Sequence, residues 1–383
     1  MSRTLVLDRV AAGVRIGLLD DDRLLEVDLA NPDPAAPGAI CLGRVRSIAH
    51  ELDGAFVDCG LGADAFLNAR DARALSGASR SAGIAGQVSE GQAVLVQIRR
   101  QAAAGKGPRI TTDIALPGLF LLHRPLVRSR QAGQQERAEA LLPGGGFTLR
   151  PAALHATDQE LLDAAECLRR SFAGIETRAG TSRPPALLAA PPEPLHRLLL
   201  DHFSPELERL VSGDQALLIA ARRWLERSWP RWLESSARLE YLPQAFEASG
   251  AAEQLDEALG REVALPGGGS LIIEPTAALT AIDVNGAGQP LEVDLAAARE
   301  VARQLRLRRI GGLVVIDFVD LEGKRDRARL DAALRQAFAD DPATVQLYPM
   351  SPLGLVELSR QRLGPSLAER LGSTSPIQES SDE

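Results

Sequence analysis

LIIEPTAALTAIDVNG at 271–286 and GGLVVIDFVD at 311–320 are the stretches that decide the fold of the C-terminal part. The first contains two apolar runs, LIIEP and ALTAIDVNG, whose spacing is typical of a hairpin-like strand pair. The second is a continuous apolar run, as in a strand buried on both faces. The sequence therefore predicts three neighbouring strands here.

Helical patterns separate these strands. Apolar residues recur at helical spacing before and after the second stretch, at Ala298, Val301, Ala302 and Leu305 and at Leu330, Leu334, Ala337 and Phe338. VQLYPM at 345–350 predicts another strand, and SPLGLVELSRQRL at 351–363 predicts a last helix with Pro352 near its first position. This alternation indicates an α/β domain.

Two aspartates each close an apolar strand in this domain, Asp283 in TAID and Asp317 in VVID. Parallel neighbours end at the same edge of a sheet, and ligands of open α/β sheets bind beyond those carboxyl ends. With Asn285 beside one and Asp320 beside the other, the pair suits Mg²⁺, which takes one or two carboxylates and keeps waters. The alternative is that each aspartate only caps a turn.

Basic residues are concentrated in the same region. Over 301–330 four acidic residues stand against eight basic ones, namely Arg303, Arg306, Arg308, Arg309, Lys324, Arg325, Arg327 and Arg329. Such a run usually forms a solvated helix face. Its proximity to the two aspartate strands favours phosphate binding.

The N-terminal part has shorter, closer strands. Residues 1–37 predict a few strands closed by the Pro-rich loop NPDPAAPG. From Gly38 onward five strand patterns follow: AICLGRVRSIA, GAFVDCG, DAFLNA, QAVLVQIRRQ and RITTDIAL. Five short strands with Gly-rich turns indicate a small barrel of the oligonucleotide-binding (OB) type.

A second basic patch lies at the end of this predicted barrel. Residues 91–112 contain no acid and carry Arg99, Arg100, Lys106 and Arg109. Phe56 and Phe66 could present stacking surfaces to bases nearby. Alternatively, both phenylalanines belong to the core.

The middle of the chain is less informative. Residues 115–182 are irregular apart from a helical pattern in DQELLDAAECLRRSF, and residues 195–260 look mostly helical. Trp224, Trp229 and Trp232 cluster there, which favours packing over a binding platform.

Composition limits the function classes. The chain has 383 residues, enough for two or three domains, and a net charge of −8, so a polyanion must bind at a local basic patch. Three cysteines without CxxC spacing fit a reducing cytosol, and the five histidines show no zinc-ligand spacing. No signal peptide or apolar run of about 18 residues is present, so we expect a cytoplasmic protein without a membrane span.

With IEPTAALTAIDVNG, ARQLRLRRIGGLVVIDFVDLEGKRDR and SPLGLVELSRQRLGPSL in view, the chain resembles the ribonuclease E/ribonuclease G family from Met1 to about residue 370. The resemblance implies a composite α+β and α/β fold. Its parts would be an RNase H-like part with an inserted S1-type OB barrel and a 5′-sensor subdomain, then a DNase I-like catalytic domain. The implied boundaries are 1–37 with 183–260, 38–114, 115–182 and 261–370, followed by a disordered acidic tail at 371–383.

The resemblance also implies an activity and its residues. It implies Mg²⁺-dependent endonucleolytic cleavage of single-stranded RNA, with Mn²⁺ as an alternative metal, leaving 5′-monophosphate and 3′-hydroxyl ends in rRNA processing or mRNA decay. The matched residues are the metal ligands Asp283 and Asp317 with Asn285, the RNA contacts Phe56, Phe66, Lys106, Arg109, Lys324 and Arg325, and Arg150 for a 5′-phosphate pocket.

The sequence departs from the family pattern in three places. The segment after Asn285 is short, which alters the rim of the site. No cysteine follows Cys167, so we expect no zinc and a monomer or weak homodimer. In the 5′-phosphate pocket Pro151 and Thr344 stand where the family has threonine and arginine, which predicts weak 5′-end sensing.

Two hypotheses therefore remain open. The first is a cytosolic endoribonuclease, and the second is a catalytically inactive RNA-binding or regulatory paralogue. Intact Asp283, Asn285 and Asp317 favour the first.

Overall fold

The computed structural model describes residues 2–11, 13–72, 83–102, 107–126, 137, 140–142, 145–234, 238–286, 288–321 and 323–372. The chain divides into two compact units. We name them the barrel unit, Ala30–Glu206 with Ile219–Ala237, and the sheet unit, Met1–Leu29 with Leu207–Leu218 and Arg238–Glu383. The predicted 371–383 tail lies almost wholly outside the described residues.

The strands, numbered in chain order, are β1 Arg3–Val10, β2 Gly13–Asp20, β3 Arg23–Ala30, β4 Ile40–Ala49, β5 Gly54–Asp58, β6 Ala65–Asn68, β7 Ala93–Arg100, β8 Arg109–Thr111, β9 Leu116–Pro117, β10 Leu121–His123, β11 Phe147–Leu149, β12 Ala186–Ala189, β13 Leu207–Ser212, β14 Arg238–Tyr241, β15 Glu262–Ala264, β16 Ser270–Pro275, β17 Leu279–Asn285, β18 Gly312–Asp317, β19 Val345–Leu347 and β20 Val356–Arg360. The α-helices are α1 Asp158–Thr181, α2 Pro194–His202, α3 Gln215–Ser228, α4 Pro230–Glu234, α5 Ala245–Ala248, α6 Ala251–Leu259, α7 Pro290–Leu307, α8 Lys324–Ala337 and α9 Leu367–Gly372.

Five strands of the barrel unit close into a barrel, which confirms the prediction of a small OB-like barrel. The order is β4-β5-β6-β8-β7, and β7 returns to pair with β4 from Ile40↔Gln97 to Arg44↔Ala93. Side chains alternate along β5, where Ala55 and Val57 are buried and Phe56 lies on the outer face. Because the sheet closes, these short strands leave no edge among themselves.

Aromatic packing dominates the rest of the barrel unit. Trp224, Trp229 and Trp232 are all buried, and the Phe203 ring contacts each of them edge-on. Trp229 also donates from Nε1 to the Glu160 carboxylate, at 2.9 Å. The prediction that these tryptophans serve packing is confirmed.

A five-stranded sheet in the order β14-β13-β1-β2-β3 opens the sheet unit. β13 and β14 are parallel to β1, so the prediction that residues 195–260 are mostly helical is wrong at these two strands. In LERLVS the apolar residues Leu207, Leu210 and Val211 follow a helical spacing, yet pairing with β1 buries all three. Tertiary pairing thus overrides a short local pattern.

A six-stranded sheet in the order β15-β16-β17-β18-β20-β19 forms the second half of the sheet unit. β16 and β17 form the predicted antiparallel hairpin, and β17 runs parallel to β18 with α7 between them. Ile282, Val314 and Ile316 pack in one core with the predicted apolar face of α7. This strand–helix–strand arrangement confirms the α/β prediction.

The predicted last helix at 351–363 is wrong. VELSR forms β20, which pairs antiparallel with β18 and β19, and the last described helix, α9, begins only at Leu367. Val356, Leu358 and Arg360 are buried in alternation along β20. This period of two is the strand signal, and it outweighs the helix-start signal of Pro352.

Among the described residues, no helix is both long and apolar enough to span a membrane.

Candidate functional site

Asp283 and Asp317 lie side by side at one edge of the six-stranded sheet. They are direct partners in the parallel β17–β18 register, after the pair Ile282↔Ile316. Both isoleucines are buried and both aspartates are exposed, because side chains alternate between the two faces of a strand. Neighbouring strands are roughly 4.8 Å apart, so the two carboxylates share one exposed face.

Asn285 orients one of these carboxylates. Its side-chain Nδ2 donates to Asp283 Oδ2 at 2.7 Å. Since Asn285 follows Asp283 by two positions in an extended strand, both side chains stand on the same face. The hydrogen bond leaves Asp283 Oδ1 without a competing bond from Asn285.

The donor set suits a hard divalent cation. The edge presents two carboxylates and an amide oxygen, the ligand types that Mg²⁺ takes while it keeps several waters. Within the ranges that the structure describes, no group of three or more His, Cys, Asp or Glu residues is arranged to hold a metal.

Asp294 supports this edge from behind and was missed by the sequence reasoning. It is fully buried in α7, and its Oδ1 accepts from the backbone N–H of Val319 at 3.0 Å. Its Oδ2 has no hydrogen-bond partner among the described residues. Asp294 stands four residues before Ala298 and seven before Val301, so helical spacing places it on the apolar face of the predicted helix. An acid on that face is the sequence signal for a buried carboxyl group.

Burial raises the pKa of Asp294 to about 6, although the hydrogen bond from the backbone N–H of Val319 acts in the opposite direction and lowers it. The folded state then holds a proton that an unfolded aspartate loses above about pH 4. Its stabilising contribution is complete below that pH and is lost as the pH rises through about 6, by a total on the order of 3 kcal/mol.

We therefore predict a pH-dependent stability difference between the wild type and Asp294→Asn, which cannot titrate. Relative to the variant, the wild type should lose about 2.5 kcal/mol of unfolding free energy between pH 4 and pH 7, most of the total. Urea unfolding in EDTA at both pH values measures it. A stability difference between the wild type and Asp294→Asn that does not change with pH would refute the prediction.

Two cations begin the helix that follows β18. Lys324 and Arg325 form the first turn of α8 and are exposed, seven and eight residues after Asp317. Cations are disfavoured at a helix N-terminus, where the backbone N–H groups already attract anions. Their placement thus strengthens a positive field on this side of the sheet.

The other half of the predicted basic cluster does not lie at this edge. Arg303 and Arg306 lie in the last turns of α7 and Arg309 directly follows the helix, which spans roughly 27 Å and returns to the opposite edge of the sheet. They form ion pairs with Glu300, Glu26 and Asp28, respectively. The inference that these arginines neighbour the aspartates is wrong. The length of α7 separates them in space although they are close in sequence.

The barrel unit carries an aromatic strip on its outer face. Phe56 pairs with Phe66 across β5 and β6, and Phe66 pairs with Arg109 across β6 and β8. The two rings meet edge to face with centroids 5.5 Å apart, and the Arg109 Cζ lies 5.8 Å from the Phe66 centroid. Both phenylalanines are half-buried outside the barrel core, which leaves ring surface available.

A glycine makes room for this strip. A Cβ on Gly54 would lie 2.2 Å from Cζ of Phe66, so the ring rests directly on the glycine backbone. Lys106, the other predicted RNA contact here, lies outside the described residues.

Arg150 is engaged within the barrel unit. Its Nη1 donates to the Gly118 carbonyl at 2.7 Å and its Nη2 to the Leu200 carbonyl at 2.5 Å. Burial lowers the pKa of its guanidinium below the ordinary value, while Asp201 raises it. Two of its donor groups therefore already have main-chain acceptors.

Comparison with known proteins gives consistent matches along the chain. The sequence model of the Ribonuclease E/G family matches residues 127–363. Ribonuclease E of Nostoc sp. (strain PCC 7120) is 33% identical over 372 residues, which cover 88% of this chain and 53% of that protein. Ribonuclease E of Escherichia coli (strain K12) is 33% identical over 402 residues, covering 96% of this chain and 38% of that protein.

Ribonuclease G of Escherichia coli (strain K12) is 29% identical over 409 residues, covering 98% of this chain and 83% of that protein. The chain thus spans 53% and 38% of the two ribonuclease E proteins named above.

Proposed function

Because the chain belongs to the ribonuclease E/G family, we propose that it is an endoribonuclease that cleaves single-stranded RNA with Mg²⁺. The proposed products carry 5′-monophosphate and 3′-hydroxyl ends. The observation that carries this proposal is the register pair Asp283↔Asp317 with Asn285 bonded to Asp283. An RNA-binding paralogue without activity has no need to keep two exposed carboxylates together.

In the proposed mechanism Asp283 and Asp317 would hold Mg²⁺ through carboxylate oxygens, and Asn285 orients the first of them. A bound Mg²⁺ supplies Lewis acidity toward the scissile phosphate and makes a water molecule a better nucleophile. Lys324 and Arg325 attract the phosphate backbone to the same side of the sheet. The reaction needs no nucleophilic side chain.

The aromatic strip of the barrel is the proposed binding surface for bases. Phe56 and Phe66 expose ring surface on which bases of any sequence can stack, and Arg109 beside Phe66 adds a phosphate contact. This combination of rings and cations favours single strands, because bases in a duplex are not free to stack on protein side chains.

We predict that Phe66→Ala weakens binding of a labelled single-stranded RNA by about tenfold or more, since one stacked base contributes roughly 1–3 kcal/mol. Fluorescence anisotropy in EDTA measures affinity without cleavage. Phe66→Leu keeps an apolar side chain over Gly54 but removes the aromatic ring, so it should show most of the same loss of RNA affinity. Leu187→Ala, on an exposed position of β12, serves as the control, and an unchanged affinity of Phe66→Ala would refute the stacking role.

We further predict a weak response to the RNA 5′ end. Arg150 already donates to two carbonyls, Pro151 has no N–H, and Thr344 is neutral and exposed. Charge-assisted bonds to phosphate are roughly twice as strong as neutral ones, so this set should bind a 5′-monophosphate weakly. Cleavage of 5′-monophosphate and 5′-hydroxyl versions of one RNA should differ by less than about tenfold. A larger preference would show a working pocket.

The proposed activity is tested by incubating the purified chain with an A/U-rich single-stranded RNA in Mg²⁺ or EDTA. Cleavage in Mg²⁺ alone supports the endoribonuclease. RNA binding without cleavage in either buffer would favour the inactive paralogue instead. The RNA target, the cytoplasmic location, the absence of zinc and the oligomeric state stay predictions.

A further inference from the structure

Two adjoining cavities lie at the edge of the six-stranded sheet opposite Asp283 and Asp317. One has a volume of about 190 Å³ and the other about 370 Å³, and Pro275, Ile310 and Ser366 line both. Pro275 pairs with Thr280 near the amino end of β17, which fixes the edge at which the cavities open. Small-molecule sites typically have volumes of roughly 300–1,000 Å³, so the larger cavity alone falls in that range.

The walls combine apolar and cationic side chains. Leu259 lines the larger cavity and is 47% exposed, and Leu313 lines the smaller one and is 43% exposed. Uncovered leucines of this kind beside a concave surface are typical of a binding groove.

Arg308 lines the larger cavity and is only 9% exposed. Its Nε donates to Gln304 and its Nη1 to the Gly260 carbonyl, while the buried Nη2 has no partner among the described residues. By contrast, Arg261 and Arg309 on the same walls form ion pairs with Glu274 and Asp28. A buried guanidinium without a carboxylate in contact is costly unless something compensates it.

Arg362 is a second cation without an ion pair, although it attracts the Glu369 carboxylate electrostatically. Its guanidinium lies over Gly312 in the smaller cavity, where a Cβ would stand 3.1 Å from Nη2. Among the described residues Arg362 has no carboxylate in ion-pair contact; the nearby Glu369 accepts from the N–H and hydroxyl of Ser366. The exposed guanidinium thus has no ion pair to break before it meets an anion, while Glu369 lines the same cavity.

We propose that the two cavities form one nucleotide-binding groove, with the phosphate beside Arg362 and the base against Leu259 and Arg308. A phosphate dianion complements Arg362, and Arg308 adds a second positive charge to the wall of the same groove. The apolar walls suit the face of a base. Four residues of β17, roughly 13 Å, separate this groove from Asp283, so it is a site distinct from the proposed catalytic edge.

Calorimetric titration of the full chain with AMP in EDTA tests the proposal. We expect saturable binding of one AMP per chain, with adenosine weaker by about tenfold or more because it lacks the phosphate. Arg362→Met should weaken AMP binding to a similar degree. Arg335→Met, which removes an exposed arginine elsewhere on the sheet unit, should bind like the wild type.

Leu259→Ser gives a second test that does not change the charge, and it should weaken AMP binding by reducing apolar contact. Displacement of AMP by a single-stranded oligonucleotide, which the proposed enzyme does not cleave in EDTA, would identify the groove as a site for a nucleotide within a chain. If the oligonucleotide does not displace AMP, the groove is a site for free nucleotide. Asp317→Asn should bind AMP normally, so this result is independent of the proposed cleavage. Absence of saturable AMP binding to the wild type, or equal binding by Arg362→Met, overturns the proposal.

Discussion

Asp317→Asn and Asp283→Asn should each lower the rate of RNA cleavage by about a thousandfold or more at limiting Mg²⁺. Each substitution keeps the size of the side chain but removes a charge that would hold the proposed cation. Metal stabilisation of a phosphoryl transition state contributes several kcal/mol, and each 1.36 kcal/mol corresponds to about a tenfold change in rate. Both positions are exposed, so folding should survive.

The measurement is the single-turnover cleavage rate of one RNA across a Mg²⁺ series, with circular dichroism to check folding. Asp331→Asn is the matched control, because Asp331 lies on α8 of the same unit and pairs with Arg335. The control should cleave at the wild-type rate. Wild-type-like cleavage by Asp317→Asn at limiting Mg²⁺ would remove the carboxylate pair from the mechanism.

The second large effect concerns stability. The side chains of Arg360 and Asp341 are both 3% exposed, and Arg360 donates to Asp341 through Nε at 2.9 Å and Nη2 at 2.8 Å. Arg360 also donates to the Ile310 carbonyl, so this pair anchors β20 against β18. Asp341→Ala leaves a buried, unpaired guanidinium, which should lower the free energy of unfolding by about 3–5 kcal/mol.

Urea unfolding of the full chain measures this loss. The exposed ion pair between Asp331 and Arg335 provides the comparison. Asp331→Ala should lower the free energy of unfolding by no more than about 0.5 kcal/mol, the usual contribution of a solvated ion pair on a helix. The double variant Asp341→Leu/Arg360→Met should recover much of the stability, since it leaves no buried charge. A loss below about 1 kcal/mol for Asp341→Ala would contradict the assigned role.

The sequence was most informative where local pattern and tertiary role agree. Apolar runs that end in Asp283 and Asp317 predicted both the parallel strands and the shared edge, and the structure pairs these residues directly. The five barrel strands could likewise be predicted from the sequence, because alternating apolar residues and Gly-rich turns are both typical of short strands. The roles of the carboxylates stay predictions that experiment must test.

The failures have a common physical cause, which is that short segments take their structure from distant partners. β13 and β14 contain six and four residues, too few for a periodic pattern to separate strand from helix. β20 carries a clear alternation, but Pro352 before it is also a signal for the start of a helix, and the two signals compete. The signal for Asp294 in the sequence is an acidic residue at a position that the helical pattern assigns to the core.

The central claim is that an activated water, held at the edge formed by Asp283 and Asp317, cleaves the phosphodiester. The most direct measurement is the end chemistry of an RNA that carries a single 2′-deoxy nucleotide at the mapped cleavage site. A metal-activated water needs no neighbouring 2′-hydroxyl, so cleavage should persist and leave a 5′-phosphate and a 3′-hydroxyl. Loss of cleavage with this substrate, together with 5′-hydroxyl and cyclic phosphate ends on the unmodified RNA, would contradict it.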